Sequence, residues 1–346
     1  MFEAGARLGR CQLVSRIGEG SMGVVWEAWH TTLGIAVAVK ILKNEWDPDR
    51  HSRALERFRM EANFAAKINH PSIVRVLDFG DEGIPYLVME LVRGPDLHAW
   101  IRHRRRVDDI LALKVVGHVA VGLAVLHQAG IVHRDLKPSN ILISEGQALK
   151  LSDLGLARSP QDAVFSDMIS GTPHYLAPES LDPSRSADPR SDLYALGVML
   201  FRMLIGRLPY TGTTEEVLQG HLWGQPDWTI PEGVRIDSGT LYLVMRLLEK
   251  DPTRRMQNAV EVVQACREQV ARLEAIRVLE GRSGTPMEAE SSETTAPAPR
   301  WRPLLRERLA QEAREGMKNA HSVGEWAFWT AIGFLLVAGG FLAGRL

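Results

Sequence analysis

A carboxylate, a cation and an amide stand close together between His133 and Asn140, as Asp135, Lys137 and Asn140. A second carboxylate, Asp153, follows after a short apolar stretch, with Leu154 and Gly155 behind it, and the glycine allows the backbone a sharp turn. That inventory suits transfer of a phosphoryl group, which asks for little covalent chemistry from the protein. It asks instead for a group that orients the attacking hydroxyl, for ligands to Mg²⁺, and for positive charge near the phosphate in flight. Asp135 fits the first role, Asn140 and Asp153 the second, and Lys137 the third. A solvated loop carboxylate is the plain alternative for Asp135, and it is set aside because further chemistry-bearing stretches flank it in order.

The elements that must position these groups are legible on both sides. Between Gln12 and Leu42, short apolar alternations broken by glycine predict strands. Ile17-Gly18-Glu19-Gly20-Ser21-Met22-Gly23-Val24-Val25 lies between the first two, where glycines let backbone N–H groups approach a phosphate with no Cβ in the way. The same glycine spacing marks dinucleotide-binding folds, but there a helix follows the last glycine, whereas Val24 to His30 continues as a strand. Val37-Ala38-Val39-Lys40 puts a lysine on a third strand, in surroundings too apolar to leave an ammonium unpaired. Its expected partner is Glu61, in a charged helical stretch from Arg53 to Ile68; a surface salt bridge is the competing use of that glutamate. A fourth strand is entered through His70 to Val74, and Tyr86 to Leu91 is an apolar fifth.

From Asp108 to Ala129, Ile110, Leu113, Val116, Val119, Leu123 and Leu126 recur at helical spacing and predict a long buried helix, in which His118 and His127 read as structural. Ile141-Leu142-Ile143 and Leu149-Lys150-Leu151 flank a turn at Glu145-Gly146 and present Asp153 across a cleft from Asp135. Later helices are predicted over Asp192 to Leu204, Thr240 to Glu249 and Asn258 to about Ile276.

In this order the motifs resemble those of the eukaryotic-type serine/threonine protein kinases, bacterial members included. The matching runs are G-x-G-x-x-G-x-V over Gly18 to Val25, the lysine strand ending at Lys40, H-R-D-L-x-x-x-N over His133 to Asn140, Asp153-Leu154-Gly155, and G-T-x-x-Y-x-A-P-E over Gly171 to Glu179. The resemblance implies an α+β, bilobal fold with a small β-rich N-lobe and a larger helical C-lobe. It also implies ATP and Mg²⁺, protein Ser or Thr hydroxyls as acceptors, and autophosphorylation. The catalytic set it implies is Lys40, Glu61, Asp135, Lys137, Asn140 and Asp153, of which Asn140 and Asp153 hold the metal. Ile17, Gly18, Glu19, Gly20, Ser21, Gly23, Val25, Ala38 and Lys40 enclose the nucleotide, the backbone of Glu90 and Val92 meets the adenine edge, and Met89 is the gatekeeper.

Lys137, two residues after Asp135, favours Ser/Thr over Tyr acceptors. Thr172 is expected to bond Asp135 and Lys137, Glu179 to pair with Arg255, and Asp192 to brace the catalytic loop. Two departures stand out: Leu154 replaces the usual phenylalanine, and Met168 takes the usual phosphosite, so that Ser166 and Ser170 are the nearest acceptors, Asp167 a resident charge and Arg134 the receiver. The rival of another class is a membrane-tethered pseudokinase scaffold that binds partners without catalysis, and the completeness of Lys40, Glu61, Asp135, Asn140 and Asp153 speaks against it. The Gly171 to Glu179 segment likewise speaks against a small-molecule phosphotransferase.

The chain has 346 residues, 45% of them hydrophobic and 24% charged, enough for two lobes and a tail. A formal net charge of -1, with no basic patch interleaved with aromatics in the main domain, argues against nucleic acid as a partner. Cys11 and Cys266 stand far apart, so neither a disulfide framework nor a zinc site is indicated, and Met1 to Gly5 does not begin a secretory signal. Residues 8–275 read as the kinase domain and 276–324 as a flexible linker with a charged juxtamembrane segment, the composition turning to Ser, Thr, Glu, Pro and Gly from Gly281 to Pro303. Residues 325–345 read as a transmembrane helix: Trp326 to Gly344 carries no charge, and at about 1.5 Å per residue it just spans a bilayer core. A buried C-terminal helix is the alternative. Arg300, Arg302, Arg306, Arg308, Arg314 and Lys318 precede the run, against Arg345 after it, so the expected topology is a single-pass membrane protein with its kinase domain in the cytoplasm. Gly340 and Gly344 share a small-residue face on which two copies could meet as a homodimer.

Overall fold

Strand β4 (Ile35–Leu42) shows how the first half is built, because its alternate residues serve two different interiors. Val37, Val39 and Ile41 join Leu13, Trp26, Ala28, Tyr86 and Val88 in one core. On the other face Leu42 packs with Leu87, Phe58 and Ala62. Period two then puts Ala38 and Lys40 on that second face. In this computed structural model the described residues are 2–20, 23–43, 68–81, 83–153, 173–182 and 188–282, with Leu55, Phe58, Arg59 and Ala62 between them. The expectations for Ser21, Glu61, Leu154, Ser166, Asp167, Met168, Ser170 and Thr172, and for the linker, juxtamembrane segment and apolar run after Arg282, lie outside the described residues.

Around β4 runs a six-stranded antiparallel sheet in the order β1-β2-β3-β4-β6-β5, formed by β1 (Arg7–Leu8), β2 (Cys11–Glu19), β3 (Gly23–His30), β5 (Val76–Asp81) and β6 (Pro85–Glu90). β2 and β3 are the hairpin on either side of the glycine-rich turn, as the absence of a helical pattern after Gly23 requires. The fourth strand begins later than expected, at Val76, because Ile73 instead bridges to Leu151 and Val74 N donates to Leu151 O at 2.8 Å.

The second half is helical: α1 (Leu97–Arg104), α2 (Asp109–Gln128), α3 (Pro189–Ile205), α4 (Thr214–Leu222), α5 (Ser238–Leu247) and α6 (Ala259–Arg282). Asp96 caps α1 by accepting from Ala99 N, and Asp108 caps α2 by accepting from Leu111 N. Leu113, Leu123 and Leu126 of α2 are fully buried with Leu196, Phe201, Leu247 and Val262. Among the described residues α2 is long and apolar enough to cross a membrane, but these contacts make it the central core helix of its lobe. A Cβ on Gly122 would come within 2.7 Å of the Leu151 side chain, so this glycine lets α2 lie close against the hairpin of β7 (Ile141–Ile143) and β8 (Leu149–Leu151) that carries Asp153.

Candidate active site

The loop between α2 and β7 is held from beneath by one carboxylate. Asp192, in the first turn of α3 and 1% exposed, accepts from His133 N and from Arg134 N, each at 2.9 Å. His127 Nε2 lies 2.8 Å from the same carboxylate. These bonds hold Arg134 at φ 63, a left-handed conformation that a residue with a side chain adopts only when its surroundings impose it. The bracing expected of Asp192 and the structural part expected of His127 are thus one network.

Above that brace the loop folds onto Asp135. Lys137 Nζ lies 2.8 and 3.1 Å from the two carboxylate oxygens of Asp135. Asn140 Nδ2 donates to the Asp135 carbonyl at 2.8 Å and to its Oδ2 at 3.2 Å, which leaves Asn140 Oδ1 as the acceptor end of the amide. Ser152 N donates to Asn140 O at 2.9 Å, so the loop and the residue before Asp153 are fixed to each other. Asp153 itself sits at φ 50, and its Oδ1 is 2.6 Å from Lys40 Nζ on β4. The Lys40 ammonium holds the Asp153 carboxyl below the usual carboxylate range, against the opposing effect of burial. Six sequence-predicted residues were named as catalytic; five of them, Lys40, Asp135, Lys137, Asn140 and Asp153, form this constellation, and Glu61 lies outside the described residues.

The glycine-rich turn is closed by Gly20 N donating to Gly23 O at 2.9 Å. Gly23 is required by packing, since a Cβ there would stand 2.4 Å from the Ile41 carbonyl oxygen. Gly18 and Gly20 are different. A Cβ on Gly18 would meet nothing nearer than Val25 Cβ at 3.9 Å, one on Gly20 would meet nothing within 4 Å, and neither has a positive φ. Their glycines are demanded by neither packing nor backbone, and they fit a cradle kept open for a phosphate. Among the described residues no three His, Cys, Asp or Glu side chains gather as a metal site. Asn140 Oδ1 and the second oxygen of Asp153 supply two hard oxygen donors, which suits Mg²⁺, a cation that takes its other ligands from phosphate and water.

A sequence profile described as the protein kinase domain matches residues 11–268. The chain belongs to the protein kinase family. It is 39% identical over 272 residues to the serine/threonine-protein kinase pkn2 of Myxococcus xanthus, an alignment covering 74% of this chain and 32% of that protein. It is 40% identical over 212 residues to the serine/threonine-protein kinase PknA of Mycobacterium tuberculosis, covering 59% of this chain and 48% of that one. A probable serine/threonine-protein kinase of Clostridium perfringens is 35% identical over 260 residues, 73% of this chain and 37% of its own. The chain therefore spans between about a third and a half of the length of these relatives.

Elsewhere in the kinase fold, Ala38 pairs in register with Met89, and Ala38 is buried while Val25 is half-buried and Ile17 exposed. At the hinge, Glu90 N–H is already donated to Arg75 O at 2.9 Å, so only the Glu90 carbonyl remains for a ligand, and Val92 is half-buried beside it. Glu19 faces Lys43 at 2.6 Å and also pairs with Arg16, which turns its side chain into the turn's own ion pairs. Glu179 and Arg255 form the expected buried pair, at 2.7 and 3.0 Å.

Three features were not singled out from sequence. The Glu90 carboxylate accepts from Lys150 Nζ at 2.8 Å and from Arg75 N at 2.9 Å, tying the hinge to β8. Asp96 bridges Leu142, a contact between the segment after the hinge and the strand after the catalytic loop. Both are pairings distant in sequence, which periodicity cannot report. The third is a correction: the main domain does carry a basic run beside an aromatic, Arg102 to Arg106, with Arg104 stacked 4.0 Å from the Trp100 ring. A net charge near zero conceals it, because acidic residues elsewhere cancel the sum.

Proposed function

We propose that this protein transfers the γ-phosphoryl group of ATP, bound with Mg²⁺, to Ser or Thr hydroxyls of proteins, including its own. The observation that carries the proposal is the joining of two charged groups through Ser152: Asp135 with Lys137 and Asn140 on one side, and the Lys40–Asp153 pair on the other. Asp135 accepts the hydrogen bond of the acceptor hydroxyl and aims its oxygen; Asn140 and Lys137 hold the carboxylate in place from two directions. Lys137 also brings positive charge to the face on which the phosphoryl group moves. Lys40 grips the nucleotide phosphates, and its bond to Asp153 holds the ammonium beside that carboxylate. Asn140 Oδ1 and Asp153 are the residues that would hold Mg²⁺, which when bound would neutralise phosphate charge.

We further propose that the domain works at a membrane on the cytoplasmic side, where ATP is available and where it can act in signalling. Supporting this are the uncharged run from Trp326 to Gly344 and the basic residues before it. We divide the chain into a kinase domain over 8–275, a connecting segment over 276–324 whose first residues complete α6 as far as Arg282, and a membrane helix over 325–345. The small-residue face at Gly340 and Gly344 supports a homodimer in which one copy phosphorylates the other.

The test is incubation of the detergent-solubilised full chain with Mg²⁺ and γ-labelled ATP, alone and with a generic basic protein, followed by phosphoamino-acid analysis. Label on serine and threonine is expected in both reactions. An unlabelled chain that nevertheless binds ATP would overturn the catalytic reading in favour of a pseudokinase scaffold.

A further inference from the structure

Four arginines and a histidine stand in a row as Arg102, His103, Arg104, Arg105 and Arg106, on the last turn of α1 and the turn that follows, and all five are exposed. Among the described residues none of the four guanidinium groups is ion-paired, and the two carboxylates that follow next in sequence are engaged elsewhere. Asp108 caps Leu111 N and pairs with Arg277 at 3.2 Å, and Asp109 accepts from Asp237 N at 2.7 Å.

The turn that displays these cations is strained. Arg105 has φ 59 and ψ -45, and Arg106 N donates to Arg104 O at 2.5 Å, the geometry of a γ-turn whose centre would suit glycine. An arginine at that position has to be tolerated against its backbone preference, and it keeps the row of cations unbroken. The turn is also fixed: Val107 N donates to Met203 O at 2.8 Å, and Arg202 reaches the Arg105 carbonyl. The row therefore forms a preorganised surface of one charge sign.

Its position relates it to the cleft. α1 starts next to Asp96, which bridges Leu142, two residues beyond Asn140. Eight helical residues at about 1.5 Å each carry the cations about 12 Å from that point. An extended peptide at about 3.3 Å per residue covers such a distance in a handful of residues. Within residues 100–107 no large apolar side chain is exposed for insertion into lipid: Ile101 and Val107 are buried, and Trp100 packs on the lobe's core and is covered by Arg104.

We propose that Arg102 to Arg106 is a docking surface for an acidic segment of the protein substrate, lying a few residues from the phosphoacceptor. This rests on the kinase activity proposed above and narrows its substrate class. The test uses the solubilised full chain and two peptides with the same acceptor sequence, one extended by a run of glutamates. The extended peptide is expected to show a KM about tenfold lower at low salt, with kcat unchanged and the advantage shrinking as salt is raised. Exchange of Arg102→Gln, Arg105→Gln and Arg106→Gln together should abolish the advantage and leave the plain peptide's kinetics as they were. A measurement on the unaltered chain guards against a misfolded variant: free polyglutamate should inhibit labelling of the extended peptide and spare the plain one. Equal KM values for the two peptides, or an advantage that survives the triple exchange or resists polyglutamate, would overturn the proposal. Competition by phosphatidylglycerol vesicles but not by polyglutamate would overturn it in favour of a lipid surface. Failure of the unaltered chain to label either peptide would instead refute the catalytic reading on which the proposal stands.

Discussion

Arg255→Met removes the most heavily bonded side chain among the described residues while keeping its apolar bulk. Arg255 is 0% exposed, holds both oxygens of Glu179 at 2.7 and 3.0 Å, and donates to Arg190 O at 2.6 Å and to Glu249 O at 2.9 and 3.0 Å. Methionine leaves Glu179 as a buried carboxylate with Ser191 Oγ as a remaining donor at 2.8 Å, and it strips those two carbonyls of the bonds they had. Breaking one side of a buried ion pair costs about 3–5 kcal/mol, a large share of the roughly 5–15 kcal/mol that holds a domain together. With an unfolding entropy of about 2.1 cal/mol/K per residue, the loss lowers Tm by about 5–9 °C for a domain of this size. Thermal unfolding followed by circular dichroism reads this directly, with Arg254→Met at the exposed neighbouring position as control. Replacing Glu179 by Met in the same chain should recover part of the loss, because no unpaired charge then remains. A fall no greater than the control's, or a double exchange as unstable as the sum of the single ones, would refute the buried pair as a stabilising clasp.

Asp192→Asn exchanges a carboxylate that serves two backbone amides and His127 for a group with one acceptor oxygen, so the catalytic loop loses its brace; kcat should fall on the order of a hundredfold with KM for ATP little changed, as steady-state kinetics would show. Burial, helped by the neighbouring Lys250, pushes the His221 imidazole down to about 3. The folded state therefore stays neutral where the unfolded chain takes up a proton, and stability present above pH 6.5 is lost toward pH 3 with a slope of at most about 1.4 kcal/mol per pH unit. Urea midpoints across that range should fall less steeply for His221→Gln. Arg105→Gly should raise stability by about 1 kcal/mol through release of the strained turn, measured by chemical denaturation.

Local chemistry made the site legible and non-local pairing limited what could be read. The G-x-G-x-x-G run announced the turn between β2 and β3 because glycine answers to what approaches the backbone, and Gly18 and Gly20 indeed border open space. The apolar repeat from Ile110 to Leu126 was enough to place α2, since a core helix writes its buried face into its own sequence. β1, two residues long, and α1, a short helix with a weak apolar face, left no comparable signal. Lys40 was assigned a partner because its strand is apolar, and the described structure places Asp153 at that ammonium, a residue 113 positions away that no periodicity connects to it. The hinge shows the same limit: the sequence marks Glu90 as backbone, while its carboxylate turns out to bind Lys150 across the cleft.

The central claim is that Asp135 aims the acceptor hydroxyl and takes no part in holding the nucleotide, and one paired measurement on the full chain tests it most directly. ATP affinity in the presence of Mg²⁺ and the single-turnover rate of label transfer are determined for the unaltered protein and for Asp135→Asn. Because asparagine keeps the size of the side chain that Asn140 and Lys137 surround but loses its charge and its ability to receive a proton, affinity should change by less than about threefold while transfer falls by at least about a thousandfold. An Asp135→Asn chain that transfers label at the unaltered rate, or one that loses ATP binding in step with transfer, would contradict the account.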